Sequence, residues 1–353
     1  MTRVPIVRPA DLGVLPEPRG GDLLAVDDPV VGVDLRGPVT AVGGVGATGG
    51  RRGDRILVGI GPVAPGWEGL VDDLDLTLAP SAAGVATVAV PDPVAALDAL
   101  GAAVAVAPRA AGALAGLLRW SGGLSVHDGL DAESFAYSTL LGGVEFREWL
   151  DRRGARPAPP EVDDPVLVER VGGELRLTLN RPERRNAYGR LLRDALVDAL
   201  DLALLDASVE RVVLAGAGPA FCAGGDLAEF GTTPDLVTAH LVRTRGGAAR
   251  PLHALAGRVE VRLHGACVGA GIELPAFAGR VVAAPGTTIR LPEVAMGLIP
   301  GAGGTVSIPR RIGRHRTLYL ALSGVSLSAE VARDWGLVDA IGTVVGGGGS
   351  AEG

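Results

Sequence analysis

Two glycine-dense segments carry one glutamate each, and they limit what this chain can become more than any other feature: HGACVGAGIEL at residues 264–274 and RLPEVAMGLIPGAGGT at residues 290–305. Glu273 and Glu293 stand among glycines and apolar residues, where an ionised carboxylate is costly without a partner or a task. A glycine-rich turn lets the backbone approach a ligand closely, and a helix opening at such a turn presents free N–H groups to an oxyanion. Ala270, Gly271 and Ile272 are read as the first turn of that helix. One carboxylate just inside it and a second twenty residues later suit general acid/base work on a bound carbonyl compound. Taken alone, the glycines and acids fit a structural turn as well as a site.

The 353 residues can bury a large core and hold one big domain or two. Hydrophobic residues are 47% and charged residues 21%, the balance of a folded globular protein. A net charge of -7 gives no reason to expect nucleic acid or an anionic membrane surface as partner. All 33 basic residues are arginine, which reads first as a compositional bias. The start, MTRVPIVRPADLGVLPEP, has charges and prolines where a signal peptide needs an apolar run, and the longest apolar stretch, 99–107, stops at Pro108 and Arg109. Neither secretion nor a membrane span is expected, and a cytoplasmic location follows. Cys222 and Cys267 are too few for a disulfide framework, and His127, His240, His253, His264 and His315 form no local metal motif, so no metal is expected.

In chain order, residues 1 to about 28 lack periodicity and are read as a surface-lying or partly disordered stretch. Short β-branched runs then predict strands in VVGVDL near Val30, RILVGI at 55–60, LDLTLA at 74–79 and VATVAV at 85–90, with a loop over 43–52. From Pro91 the pattern turns helical, broken at Pro108. A further amphipathic segment from Asp131 carries Phe135, Leu140, Val144, Phe146, Trp149 and Leu150 among polar positions and is split by Gly142 and Gly143. The Pro-rich, charged run at 152–165 is taken as the main boundary.

Beyond it strands and helices alternate. ELRLTLN, RVVLAG, VEVRLHG and RVVAA read as strands, and LLRDALVDALDLAL as a helix burying Leu192, Leu196, Ala199, Leu200 and Ala203. Residues 318–322 and 328–335 read as helical, the latter capped by Ser328 and stopped at Gly336. LVDAI closes the fold before a flexible tail at 343–353.

Five motifs of this second half, in this order, resemble the crotonase superfamily, the enoyl-CoA hydratase/isomerase family: LNRPERRNAY, FCAGGDL, GACVGAGIEL, LPEVAMGLIPGAGGT and LSAEVARDWGLVDAI. The resemblance covers roughly residues 166–341. It implies a crotonase-like (ClpP/crotonase) α/β core of stacked β-sheets and helices at 161–342, preceded by an N-terminal α/β extension at 1–160. It also implies an acyl-CoA substrate, with no cofactor beyond the coenzyme A of that substrate, and a homo-trimer or hexamer. The backbone N–H groups of Ala223 and Ala270 would hold the thioester oxygen and stabilise an enolate. Glu273 and Glu293 match the pair that, in hydratases of the family, holds a water and exchanges protons with the substrate. Having both favours hydration or dehydration over isomerisation, which needs one base. A non-catalytic acyl-CoA-binding or assembly role is the remaining alternative.

The coenzyme A moiety would lie along Arg181, Arg184, Arg185, Ala187, Ala220, Phe221, Gly225 and Asp226, with the arginines near its phosphates and Asp226 bracing its loop. Cys222 reads as a packing residue. Ala270 stands where the family usually has glycine, and Gly279 replaces an acidic residue common there. The family continues past LVDAI into helices that cover the coenzyme A site; residues about 85–156 resemble those tail helices, as if placed before the core in permuted order.

Overall fold

The computed structural model describes residues 3–14, 28–39 and 55–343. The loop expected at 43–52, most of the first 28 residues and the tail from 344 lie outside them. The first strands are β1 (Ile6–Val7), β2 (Val30–Asp34) and β3 (Ile56–Ile60), followed by α1 (Glu68–Asp73), β4 (Leu76–Ala79) and β5 (Thr87–Ala89). All five strands pair in parallel in the order β1-β2-β3-β4-β5. β2, β3 and β4 are buried almost throughout, as near-continuous apolar runs in a parallel sheet require. The four strands read from residues 30–90 are thus present. Ile6 and Val7 correct the reading of the leading segment, because they pair with Gly32 and Val33 as an edge strand. Two β-branched residues are too few to show a period.

Four helices follow: α2 (Pro93–Val104), α3 (Pro108–Trp120), α4 (Val126–Leu141) and α5 (Val144–Arg153). Pro93 and Pro108 each sit in a first helical turn, where a missing N–H costs nothing, and the Asp92 carboxylate caps α2 by accepting from the Val94 and Ala95 N–H groups. Gly142 and Gly143 separate α4 from α5 as expected. Phe135 departs from expectation: it is 61% exposed, so the buried stripe of α4 runs instead through Leu130, Glu133, Ser134 and Leu140.

The second half contributes β6 (Val166–Val171), β7 (Glu174–Leu179), α6 (Arg190–Leu205), β8 (Arg211–Gly216), α7 (Leu236–Gly246), α8 (Ala249–Ala254) and β9 (Val259–Leu263). Then come β10 (Ala266–Val268), α9 (Ala270–Glu273), β11 (Arg280–Ala283), β12 (Thr288–Arg290), α10 (Gly304–Ser323, broken at Gly313), β13 (Leu327–Ser328), α11 (Ala329–Trp335) and β14 (Ala340–Ile341). A six-stranded sheet has the order β14-β11-β9-β8-β7-β6, parallel except for β6, and a small sheet joins β10, β12 and β13. The apolar face read for α6 is buried at all five positions. β9 buries Val259, Val261 and Leu263 and leaves the residues between them part-exposed.

The stretch 154–165 has no regular element, yet it does not divide the packing. One apolar cluster runs from Ile56 and Leu76 through Leu114 and Leu130 to Leu263, Ile272 and Ile308. α10 packs on α2, α3 and α4, and α4 packs on α7. Among the described residues no single helix is long and apolar enough to cross a membrane.

An ion pair ties the five-stranded sheet to α3. Asp75, 1% exposed, takes Nε and Nη2 of Arg119 at 2.7 and 2.8 Å and the Leu57 N–H at 2.8 Å. Removing one member of a buried pair leaves the other desolvated and unmatched. Asp75→Ala is expected to lower the unfolding free energy by about 3–5 kcal/mol in urea titrations, whereas Arg8→Ala, at an exposed pair, should leave the urea midpoint where the wild type has it.

Candidate active site

Parallel strands bring the two glutamates together. β10 pairs with β12 so that Val268 lies beside Arg290, and Gly269 N–H donates to the Arg290 carbonyl at 2.9 Å. Just past these strand ends the chain enters α9, which ends at Glu273, and a 3-10 turn over Glu293–Met296. Gly269, at φ 51°, lies between the two side chains: a Cβ there would strike Oε1 of Glu293 and come within 3.6 Å of Oε1 of Glu273. Only glycine allows both carboxylates to share this space.

Glu273 is 2% exposed, and its Oε2 accepts from the N–H groups of Ala302 at 2.7 Å and Gly304 at 2.9 Å, at the start of α10. Oε2 of Glu293 is buried and has no hydrogen-bond partner among the described residues. Burial pushes the Glu293 carboxyl up to about 8, and burial with the neighbouring Glu293 and Glu133 charges holds Glu273 well above the ordinary carboxylate range. Two like charges in so small a volume resist ionising together, so the pair titrates as a unit.

The loop before Asp226 is laid along β10. Phe221 N–H donates to the His264 carbonyl, Cys222 N–H to the Ala266 carbonyl, and Val268 N–H returns to Cys222. This brings Gly225 and Ala270 to one cavity of about 430 Å³, a volume typical of small-molecule sites, whose wall also includes Glu273, Glu293, Tyr137 and Arg243. The N–H groups of Gly225 and of Ala270, at the open end of α9, donate to no acceptor among the described residues.

Residues 170–345 match the sequence model of the enoyl-CoA hydratase/isomerase family. The 2,3-dehydroadipyl-CoA hydratase of Escherichia coli (strain K12) is 38% identical over 173 residues, 49% of this chain and 67% of that protein. The chain belongs to the enoyl-CoA hydratase/isomerase family. The 1,2-epoxyphenylacetyl-CoA isomerase of the same organism is 37% identical over 178 residues, 49% of this chain and 68% of that protein. The solved structure of a carnitinyl-CoA dehydratase from Mycobacterium avium 104 aligns with 37% identity over 50% of this chain and 69% of that chain, at a TM-score of 0.45.

Several residues expected at the site of this crotonase-superfamily member are placed elsewhere. The Ala223 N–H donates to the Arg185 carbonyl at 2.9 Å, so it is already used; Gly225, expected only beside the coenzyme A moiety, lines the cavity with an N–H that has no acceptor among the described residues. Arg181 is 2% exposed, with Nη2 on the Pro160 carbonyl at 3.1 Å, and cannot meet a phosphate without unpacking. Arg184 is held by both oxygens of Asp226, at 2.5 and 2.9 Å, so Asp226 fixes its loop through an arginine. Ala220 and Phe221 are buried at 3% and 2% exposure and serve packing, and the Ala187 N–H turns back onto Arg184. The Arg185 side chain alone of the three arginines is exposed and carries no ion pair among the described residues. Cys222 is buried, which pushes its thiol up to about 12 and leaves it a packing residue. Gly279 has a steric reason: a Cβ there would stand 2.5 Å from the Ala256 carbonyl oxygen, so no acidic side chain fits.

Other residues of the cavity escaped the sequence reading. Glu133 and Tyr137 come from α4, and Arg243 from α7. Arg243 lies over the Tyr137 ring, 4.3 Å from its centroid, and donates to Ser134 at 3.3 Å and Ser138 at 2.5 Å. A signal for Glu133 exists, since it is an acid on the buried stripe of an amphipathic helix.

The raised carboxyls fix how stability depends on pH. A carboxyl that binds its proton more tightly when folded contributes stability that is complete below its unfolded pKa, near 4.5, and lost as pH rises through the folded value. The unfolding free energy is therefore expected to fall between pH 4.5 and about 8, with Glu293→Gln flattening the slope in urea melts across that range.

Proposed function

We propose that this chain hydrates an enoyl-CoA thioester, or dehydrates the corresponding 3-hydroxyacyl-CoA, with Glu273 and Glu293 as the proton-handling pair. The observation that carries the reading is the asymmetry of the two carboxylates around Gly269. Glu273 is held by two backbone N–H groups, whereas Glu293 keeps an unpaired oxygen.

In this reading the thioester oxygen lies between the N–H groups of Gly225 and Ala270, which stabilise the negative charge that develops there. A water held by the pair loses a proton to a carboxylate as its oxygen bonds to C3. The C2–C3 π electrons move into the thioester as an enolate, and the protonated partner delivers a proton to C2. Dehydration runs the same steps in reverse. Glu273, whose position the α10 turn fixes, suits the water; Glu293, with its free oxygen, suits C2. The methyl of Ala270 narrows the acyl side of the cavity. Arg185 supplies a guanidinium for a coenzyme A phosphate.

α4 and α5, which precede the core in sequence, are proposed to stand for the helices that follow it in relatives. α4 lines the cavity, and about a third of each compared relative lies outside the match. A closed homo-trimer or hexamer is proposed on the apolar surface of α3 and α4, where Trp120 and Phe135 are 58% and 61% exposed. Sedimentation giving a single monomeric species would exclude it.

The unpaired oxygen also favours a second reading, double-bond isomerisation with Glu293 as the one base. Steady-state assays on crotonyl-CoA and a longer enoyl-CoA separate the two. Glu273→Gln and Glu293→Gln should each lower kcat for hydration by about 10²–10⁴-fold. Retained isomerisation in Glu273→Gln, with Glu293→Gln inactive, would select the isomerase. Coenzyme A binding without turnover of any enoyl-CoA would mark a binding protein.

A further inference from the structure

Glu133 presents a carboxylate to the same turn as Glu273. It is 2% exposed and 140 residues earlier in the chain. Its Oε1 accepts from Gly303 N–H at 2.7 Å, and its Oε2 from Thr305 N–H at 2.8 Å and the Thr305 hydroxyl at 2.7 Å. The four successive N–H groups of residues 302–305 therefore alternate between two carboxylates: Ala302 and Gly304 donate to Glu273, Gly303 and Thr305 to Glu133. A helix start leaves its first N–H groups without internal partners and favours negative charge. Here two acids from distant segments divide those donors.

Both Glu133 oxygens are engaged by the turn. Neither carboxylate can shift along the turn without displacing the donors of the other. We propose, resting on the hydratase reading above, that Glu133 is a positioning residue: it locks the 302–305 turn that aims Glu273 and places a third acidic side chain on the cavity of the Glu273–Glu293 pair.

The surrounding charges fit this role. Arg243 from α7, Tyr137 from α4 itself, Glu273 from α9 and Glu293 face the same cavity as Glu133. Burial raises Glu273 and Glu293, and the Glu133 charge adds to both; burial also raises Glu133 itself to about 7, with its hydrogen bonds to Gly303 and Thr305 and the Arg243 cation opposing that rise. Four further titratable groups on the elements packed against α4 make contacts of their own. Arg119 of α3 binds Asp75, Glu145 of α5 accepts from the Arg109 and Ala110 N–H groups, His240 of α7 meets the Ser134 hydroxyl, and Arg310 of α10 donates to the Val306 and Leu124 carbonyls.

The test uses the full chain with Glu133→Gln and Glu133→Asp. Glu133→Gln keeps the shape, removes the charge and replaces one acceptor by a donor. It is expected to lower kcat for crotonyl-CoA hydration about tenfold or more, leave KM within about threefold, and move the pH–kcat profile about one unit toward acid. Glu133→Asp keeps the charge and withdraws the carboxylate by one methylene. It should lower kcat while leaving the profile where the wild type has it, and it keeps the test open if the glutamine variant does not fold. ¹³C NMR titration of the glutamate carboxyls reads the same shift without turnover. Glu133→Gln should lower the midpoints assigned to Glu273 and Glu293. A wild type that hydrates nothing would defeat the hydratase reading, yet the NMR arm would still decide whether Glu133 governs the pair. An unmoved profile and unmoved carboxyl midpoints in Glu133→Gln, or wild-type kcat in Glu133→Asp, would overturn the proposal.

Discussion

The first turn of α10 is where the molecule is held to its chemistry. Four consecutive backbone N–H groups there are divided between Glu273, from the glycine-rich segment after β10, and Glu133, from α4. Hydrogen bonds to a charged acceptor are among the stronger ones in a protein, and a buried carboxylate deprived of its donors is costly. The turn therefore couples three chain segments, and Glu293 beside it keeps an oxygen with no hydrogen-bond partner among the described residues.

The rest of the architecture supplies what this turn needs. The parallel pairing of β10 with β12 carries the two glutamates into one space, and the loop ending at Asp226, pinned by Arg184, brings Gly225 to the cavity that Ala270 also lines. Burial raises the carboxyls, and Arg243, stacked on Tyr137, supplies an opposing positive charge on the same wall. The family's motifs span only the second half of the chain, yet a wall of the cavity is built by the first.

Much of this was legible in the residues. The two glutamates among glycines, the alternation in β7 and β9 and the five-residue apolar face of α6 all follow local periodicity, and the structure keeps them. What failed was tertiary. That the Ala223 N–H of FCAGGDL is consumed by the Arg185 carbonyl follows from a loop-to-loop pairing that no local pattern encodes. Arg181 sits in a run that looks like exposed phosphate-binding arginine, but it is buried and donates to the Pro160 carbonyl. Glu133 lies 140 residues from Glu273, and only the docking of α4 on α10 brings them to one turn. β1 shows the complementary case: two residues too short for a pattern, fixed as a strand by the edge they complete.

The central claim, that the carboxylate pair adds water across an enoyl-CoA double bond, is most directly tested by isotope incorporation. The enzyme is incubated with enoyl-CoA thioesters of short to long acyl chains in deuterated water enriched in oxygen-18, and the products are analysed by mass spectrometry. The account predicts a 3-hydroxyacyl-CoA carrying one deuterium at C2 and oxygen-18 at C3. Deuterium incorporated without oxygen-18, or thioesters recovered unlabelled across the whole series, would contradict it.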